Sequence, residues 1–97
     1  MYARMTTAET KVNWIDTFVK IYEESVVPAA KSQKGYCGAY FLVDRKTGKC
    51  ISITLWDCEE DALANEESHY YQEQLVKVMN ILTKPPIREG YEVVVQA

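Results

Sequence analysis

Three side chains of one predicted strand could orient a flat organic molecule. Ser52, Thr54 and Trp56 alternate within residues 50–56, so they point to the same face of the strand. The indole of Trp56 can stack on an aromatic ring and offers an N–H donor, while the two hydroxyls supply the few polar contacts that a largely apolar binding site needs. A purely structural interpretation stays open, in which Trp56 packs under a helix and the hydroxyls bond to each other.

Proton transfer would need a base, and His69 is the only histidine of the chain. Histidine is the residue type that ordinarily changes charge near neutral pH, which makes His69 the candidate general base. If the chain is an enzyme, we therefore predict Trp56, Ser52 and His69 as its catalytic residues. The position of His69 beside Ser68, at the predicted start of a helix, is also typical of an exposed or capping residue.

The walls of the same site are expected to be aromatic. Tyr22 and Tyr71 lie on the apolar stripes of two predicted helices. Phe41 lies on the strand before that of Ser52 and Thr54, on the same face of the predicted sheet. We predict that Tyr22, Phe41, Thr54 and Tyr71 line the pocket. Each aromatic residue of this set is also compatible with an ordinary place in the core.

These side chains are positioned by a long β-hairpin, residues 35–56. Its arms are rich in β-branched and aromatic residues, and Gly48 near the end of the turn can adopt the positive φ of a bulge. If Asp44 lies opposite Lys49, neither face of the hairpin is polar. One face then carries Cys37, Ala39, Phe41, Val43, Cys50, Ser52, Thr54 and Trp56, and the other carries Tyr36, Gly38, Tyr40, Leu42, Ile51, Ile53 and Leu55.

The segment before the hairpin predicts a strand followed by a helix. Residues 1–6 alternate as a short strand does, and Thr6 and Glu9 have the spacing of a capping box, which places the start of a helix near residues 7–10. Pro28 is expected to kink or end that helix.

The segment after the hairpin predicts a helix in two pieces and a closing strand. Asp57 is the expected cap of the first piece and Ser68 that of the second, while two prolines within residues 83–86 stop the helix. Residues 91–95 form the last strand. The order β-α-β-β-α-β is the ferredoxin-like plan, an α+β fold with a four-stranded antiparallel sheet.

Two helical segments can cover only one face of such a sheet. The other face is also apolar, and large apolar patches are rare on the surface of a monomer. Packing against the sheet of a second copy would bury it. The sequence therefore predicts a homodimer held by sheet-to-sheet packing.

Composition narrows the function classes. The 97 residues predict one domain, residues 1–97, and a formal charge of −3 gives no basic surface for a nucleic acid. No apolar run reaches transmembrane length and the first residues lack a signal-peptide region, so we expect no membrane contact and a cytoplasmic location. Three cysteines and one histidine, with no C-x-x-C spacing, predict neither a disulfide framework nor a metal site, and no cofactor is expected.

Taken together, these motifs resemble the dimeric α/β-barrel proteins, in particular the antibiotic biosynthesis monooxygenase (ABM) domains. The resemblance rests on G-Y-C-G-A-Y at residues 35–40, on S-I-T-L-W-D-C-E-E-D-A-L at residues 52–63 and on the closing strand. It covers nearly the whole chain and implies a single ABM-like domain that pairs as a dimeric barrel. The superfamily includes cofactor-independent quinone-forming monooxygenases, haem-degrading enzymes and members without assigned activity.

The resemblance also implies where a site would lie. In the monooxygenases it lies between sheet and helices and includes a Trp at the position of Trp56 with an Asn four residues earlier, where this chain has Ser52. Haem-degrading relatives carry a Trp and a His where a gapless match places Asn65 and Leu75, so haem degradation is not expected. The implied activity is cofactor-independent oxygenation of a small aromatic or polyketide-like substrate. The alternative is a non-catalytic ligand-binding or interaction domain on the same scaffold.

Overall fold

The computed structural model describes residues 1–97 and contains one antiparallel sheet. Its strands are β1 (Tyr2–Glu9), β2 (Tyr36–Val43), β3 (Lys49–Trp56) and β4 (Ile87–Glu92). They lie in the order β2-β3-β1-β4, with β1 paired to both β3 and β4. The predicted α+β fold with a ferredoxin-like sheet is therefore confirmed.

The helical segments pack on one face of the sheet. The core on that face joins Ala8 of β1, Phe18 of the first helix, Cys50 of β3 and Val78 of the last helix. The helices are α1 (Ile15–Ile21), α2 (Val27–Lys31), α3 (Glu59–Glu66) and α4 (His69–Met79), with a 3-10 turn at Val12–Trp14 and a π-helical turn at Tyr22–Val26. None of them is long and apolar enough to cross a membrane.

The hairpin turn forms as predicted. The Asp44 N–H donates to the Lys49 carbonyl over 2.8 Å, and Gly48 has a φ of 83°. The register that follows pairs Phe41 with Ser52 and places both on the face under the helices. The turn thus fixes which side chains can reach a site between helices and sheet.

A β-bulge changes the predicted register at the far end of this hairpin. Tyr36 pairs with Trp56 and Gly38 pairs with Leu55, which leaves Cys37 as an extra residue between them. Tyr36 therefore lies on the face of Trp56, and the two rings meet edge-on at 5.9 Å. The prediction that Tyr36 lies on the face opposite Trp56 is wrong, because strict alternation assumes equal numbers of residues on both strands.

Two predicted helix starts are also wrong. Thr6 and Glu9 do not form a capping box, because β1 continues to Glu9 with a partner strand on each side over most of its length. Asp57 does not cap α3; the N-cap is Cys58, and the Asp57 carboxylate instead accepts a hydrogen bond from Cys37. The predicted cap at Ser68 is confirmed, since its hydroxyl accepts from the N–H of Tyr71 over 3.1 Å.

Pro28 does not end the first helical segment, which was one of the two outcomes expected for it. It lies in the first turn of α2, where a missing backbone N–H is tolerated. The turn before it is π-helical, and the N–H of Val27 donates to the carbonyl of Tyr22, five residues back. The helical path therefore reaches Lys31 and keeps Tyr22 against the sheet.

The last strand begins four residues and ends three residues earlier than predicted. It pairs with β1 from Ile87 opposite Thr7 to Glu92 opposite Tyr2, where β1 itself begins. Val94 and Val95 have no strand beside them and are 79% and 81% exposed. Apolar character alone placed the strand on these valines, whereas the available partner decides where pairing stops.

The sheet face away from the helices is apolar and uncovered. Tyr40 on β2 is 61% exposed, Ile87 on β4 is 58% exposed, and Leu42 and Tyr91 are about half exposed. Only 12 of the 97 residues are buried. A large part of the apolar surface of this fold is thus still available for packing.

Replacing Gly48 should destabilise the protein, because a Cβ there would lie 1.9 Å from the carbonyl oxygen of Thr10 and the positive φ disfavours any L side chain. We expect Gly48→Ala to lower the free energy of unfolding by about 2–4 kcal/mol in urea denaturation. Gly38→Ala is the matched control, since its Cβ would meet only a Leu55 methyl at 3.8 Å. Equal stability of the two variants would contradict this account of the turn.

Candidate functional site

A cavity of about 100 Å³ lies between the helices and the covered face of the sheet. Its walls come from β1, β2 and β3 below and from the helical segments above. Most of its lining is apolar, and side chains far apart in the sequence meet in it. Of the residues predicted from the sequence, it is lined by Tyr22, Phe41, Ser52, Thr54 and Tyr71.

Stacked aromatic rings form one wall of the cavity. Tyr22 and Phe41 stack with their centroids 4.3 Å apart and their planes 15° apart, and Phe18 tilts against Phe41 at 4.9 Å. The π-helical turn presents Tyr22 and the hairpin presents Phe41, so the wall joins helix to sheet. A flat apolar wall of this kind suits an aromatic ring.

A hydroxyl pair adjoins the aromatic wall. The Tyr22 hydroxyl and the Ser52 hydroxyl are 2.7 Å apart, and either can donate. Burial raises the pKa of Tyr22 above its ordinary value, and the hydrogen bond with Ser52 opposes that rise only in part. Tyr22 therefore stays a neutral phenol at physiological pH and supplies a hydrogen bond rather than a base.

Trp56 lies beside the cavity and not in its lining. Its side chain is fully buried, and its indole N–H donates to the Thr54 hydroxyl over 2.9 Å. Because Thr54 already accepts this bond, its own hydroxyl proton remains available for donation toward the cavity that it lines. Trp56 thus positions Thr54, whatever further role it has.

His69 is not brought to the cavity. Its side chain is 84% exposed at the start of α4, and its Nε2 lies 2.8 Å from the Glu73 carboxylate, one turn further along the same helix. The structure therefore joins Ser52 to the predicted pocket walls but leaves His69 on the solvent side of α4.

A charged cluster that the sequence analysis did not identify borders the cavity. Arg4 on β1 forms a two-point ion pair with Glu66 of α3, and Arg88 on β4 approaches the same carboxylate at 3.4 Å. Arg88 also lies over the Tyr71 ring at 5.5 Å. Burial raises the pKa of Tyr71, and the positive charge of Arg88 opposes that rise. No local pattern links Arg4 to Glu66, because they are 62 residues apart.

Gln74 is a second residue that the sequence analysis missed. Its side chain lines the cavity and is only 9% exposed, and its Oε1 has no hydrogen-bond partner in the protein. A signal for it was present in the sequence. Gln74 lies three residues after Tyr71 and four before Val78, which is the spacing of one helix face.

The remaining candidates for chemistry are the thiols and the acidic groups. All three cysteines are free, and burial raises the pKa of the Cys50 thiol, so that it stays protonated in the core. No group of three or more His, Cys, Asp or Glu side chains is arranged to hold a metal ion.

Comparison with known sequences gives relatives of undetermined function. No family model matches the chain. The uncharacterized protein Rv2557 of Mycobacterium tuberculosis is 36% identical over 67 residues, which make up 69% of this chain and 30% of that protein. The chain thus spans less than a third of the length of the curated relatives it matches.

Comparison with solved structures gives a clear answer for the fold. SnoaB, a cofactor-independent oxygenase from Streptomyces nogalater, superimposes with a TM-score of 0.82 at 8% identity, over 98% of this chain and 94% of that chain. An antibiotic biosynthesis monooxygenase gives a TM-score of 0.79 at 14% identity, over 98% of this chain and all of that one. The resemblance noted in the sequence is therefore confirmed at the level of structure: this chain has the ABM fold.

Proposed function

We propose that this chain is an ABM-like domain, residues 1–97, that binds a small aromatic molecule in the cavity between its helices and its sheet. One observation carries the proposal: the stacked wall of Tyr22 and Phe41 stands beside the hydroxyl pair of Tyr22 and Ser52 in a mostly apolar cavity. Such a site combines a surface for a ring with a few polar groups that orient it.

The size of the cavity favours a single ring. An apolar cavity of about 150 Å³ in another protein holds benzene, and the cavity here measures about 100 Å³. A small phenol is therefore a better match than a fused polyketide-like ring system, which would require α2 and α4 to move apart.

Oxygenation without a cofactor is the reaction that the fold suggests, since SnoaB is a cofactor-independent oxygenase. In such a reaction the substrate loses a proton to water or a base, and its anion supplies the electrons that reduce O₂. A bond forms between a ring carbon and oxygen to give a hydroperoxide, and loss of water leaves a carbonyl. This chain would contribute orientation by Ser52 and Thr54 and a dry, aromatic wall.

Binding without catalysis is the second candidate, and two placements favour it. His69 lies outside the cavity, and the N–H of Trp56 is already engaged by Thr54. Under this alternative the same cavity serves as a sensor or carrier site. A cytoplasmic location and the absence of a nucleic-acid partner stay predictions under both candidates.

We also propose that the uncovered sheet face pairs with the same face of a second copy. Support comes from the half-exposed or more exposed Tyr40, Leu42, Ile87 and Tyr91 and from the small number of buried residues. Sheet-to-sheet packing buries such a face symmetrically. The cavity lies on the other side of the sheet, so dimerisation leaves it open to ligand.

Filling the cavity should abolish ligand binding. Ala29 lines it from α2, and Ala29→Leu would place extra side-chain atoms inside it. We expect the affinity for phenol and toluene, measured by isothermal titration calorimetry, to fall at least about tenfold. Ala64→Leu, on the exposed side of α3, is the control and should bind as the wild type does. Unchanged binding by Ala29→Leu would place the site elsewhere.

Oxygen uptake separates the two candidate functions. If the chain is an oxygenase, the wild type should consume O₂ with a panel of small hydroquinones faster than the buffer does, and Ala29→Leu should return the rate to that of buffer. Thermal melting of both proteins controls for folding. Ligand binding without any uptake by the wild type would refute the oxygenase and retain the binding domain.

Sedimentation equilibrium tests the dimer. The wild type should have about twice the chain mass of 11.1 kDa at micromolar concentration. Tyr40→Asp places a charge on the uncovered face and should give monomers or unfolded chains. Tyr70→Asp is the matched control, because Tyr70 is similarly exposed, at 56%, but lies on α4. A stable wild-type monomer would contradict the proposed interface.

A further inference from the structure

We propose that Gln74 is the group that selects the ligand, and that it selects molecules carrying a neutral hydroxyl on the ring. This inference rests on the proposed binding of a small aromatic molecule and extends it to a ligand class. It assigns a recognition role to a residue of α4 that the sequence pattern treats as part of an apolar helix face.

The first observation is the state of the Gln74 carboxamide. The side chain is more than nine-tenths buried and lines the cavity, yet its Oε1 is the one buried side-chain nitrogen or oxygen without a hydrogen-bond partner in the protein. A buried acceptor of this kind destabilises a fold unless something donates to it. A leucine or methionine at this position would fill the same space without an unpaired acceptor. We therefore infer that a molecule from outside the chain donates to the amide oxygen.

The second observation is that the polar groups beside the aromatic wall, and Arg4, already have partners. Tyr22 and Ser52 bond to each other, and Thr54 accepts from Trp56. Arg4, at another part of the lining, is held by Glu66. Among the buried side-chain atoms, the acceptor left for a ligand donor is therefore Oε1 of Gln74.

The chemistry of a carboxamide oxygen defines the ligand. The oxygen accepts a hydrogen bond and carries no charge, so it favours an O–H donor, whereas a carboxylate or a phenolate could bond only to the N–H groups of the amide. A site built around a buried acceptor also discriminates against analogues that lack the donor, because binding them leaves the acceptor unpaired. A phenol in its protonated form satisfies both the acceptor and the aromatic wall of Tyr22 and Phe41.

The test compares phenol, toluene and anisole as probes of one ring with a donor, with no polar group and with an acceptor only. Their affinities for the wild type and for Gln74→Met, which keeps the volume of the side chain, are measured by calorimetry. We expect the ratio of phenol affinity to toluene affinity to fall roughly 3- to 10-fold in Gln74→Met. Lys77→Met, on the exposed side of α4, is the matched control and should leave the ratio unchanged.

The melting temperature of the free proteins separates recognition from a structural role. Gln74→Met should melt no lower than the wild type, because the substitution removes an unpaired buried acceptor. A loss of several degrees would show that Gln74 supports the fold through a bond of its own, and would overturn the inference.

The remaining outcomes are equally decisive. If the three probes bind but Gln74→Met leaves their ratios unchanged, Gln74 does not select the ligand, while aromatic binding stands. If phenol and anisole bind equally and both more tightly than toluene, the amide donates rather than accepts, and the assignment of a hydroxyl ligand is wrong. If no probe binds the wild type, the proposed function fails and this inference falls with it.

Discussion

The structure depends on one constraint, which is that its sheet has two apolar faces and helices for only one of them. The hairpin sets this condition, because its period of two places aromatic and aliphatic side chains on both sides. Helices α1, α2 and α4 and their connecting turns cover the side of Phe41 and Ser52. The side of Tyr40 and Leu42 remains exposed at the surface, where a second copy could cover it.

The covered face is itself incompletely filled, and the candidate site lies in the space that remains. Ala8, Ala30 and Ser52 are small residues at positions where larger ones would close the space between helices and sheet. The π-helical turn widens the first helical segment at Tyr22, so that its hydroxyl reaches Ser52. Small residues and a local widening thus produce a cavity with a polar edge, rather than a packed interior.

Much of the fold could be predicted from the sequence, and the reasons are local. Gly48 indicates a turn because it adopts a positive φ, and Ser68 indicates a helix cap because its hydroxyl accepts from a backbone N–H three residues later. Alternation from the turn correctly placed Phe41 opposite Ser52. The errors arise where a distant partner decides. The bulge at Cys37 adds a residue that alternation cannot foresee, and β1 extends through Glu9 because strand pairing outweighs a capping-box spacing.

The site was harder to predict than the fold, because its polar groups acquire their meaning from partners across the sheet. Ser52 and Tyr22 are 30 residues apart, and their bond cannot be seen in either segment alone.

Gln74 is a different case, because its place on the helix could be read from the sequence and its importance could not. Helical spacing placed it beside Tyr71 and Val78, but a polar residue on an apolar stripe is readily dismissed as an irregularity of the pattern. The burial of its Oε1 without a partner supports a role in binding, because a fold with so few buried residues has little stability to lose to an unpaired acceptor. A second copy on the uncovered face would supply the stability that permits such a group, so the proposed dimerisation would support the proposed ligand recognition from the opposite side of the sheet.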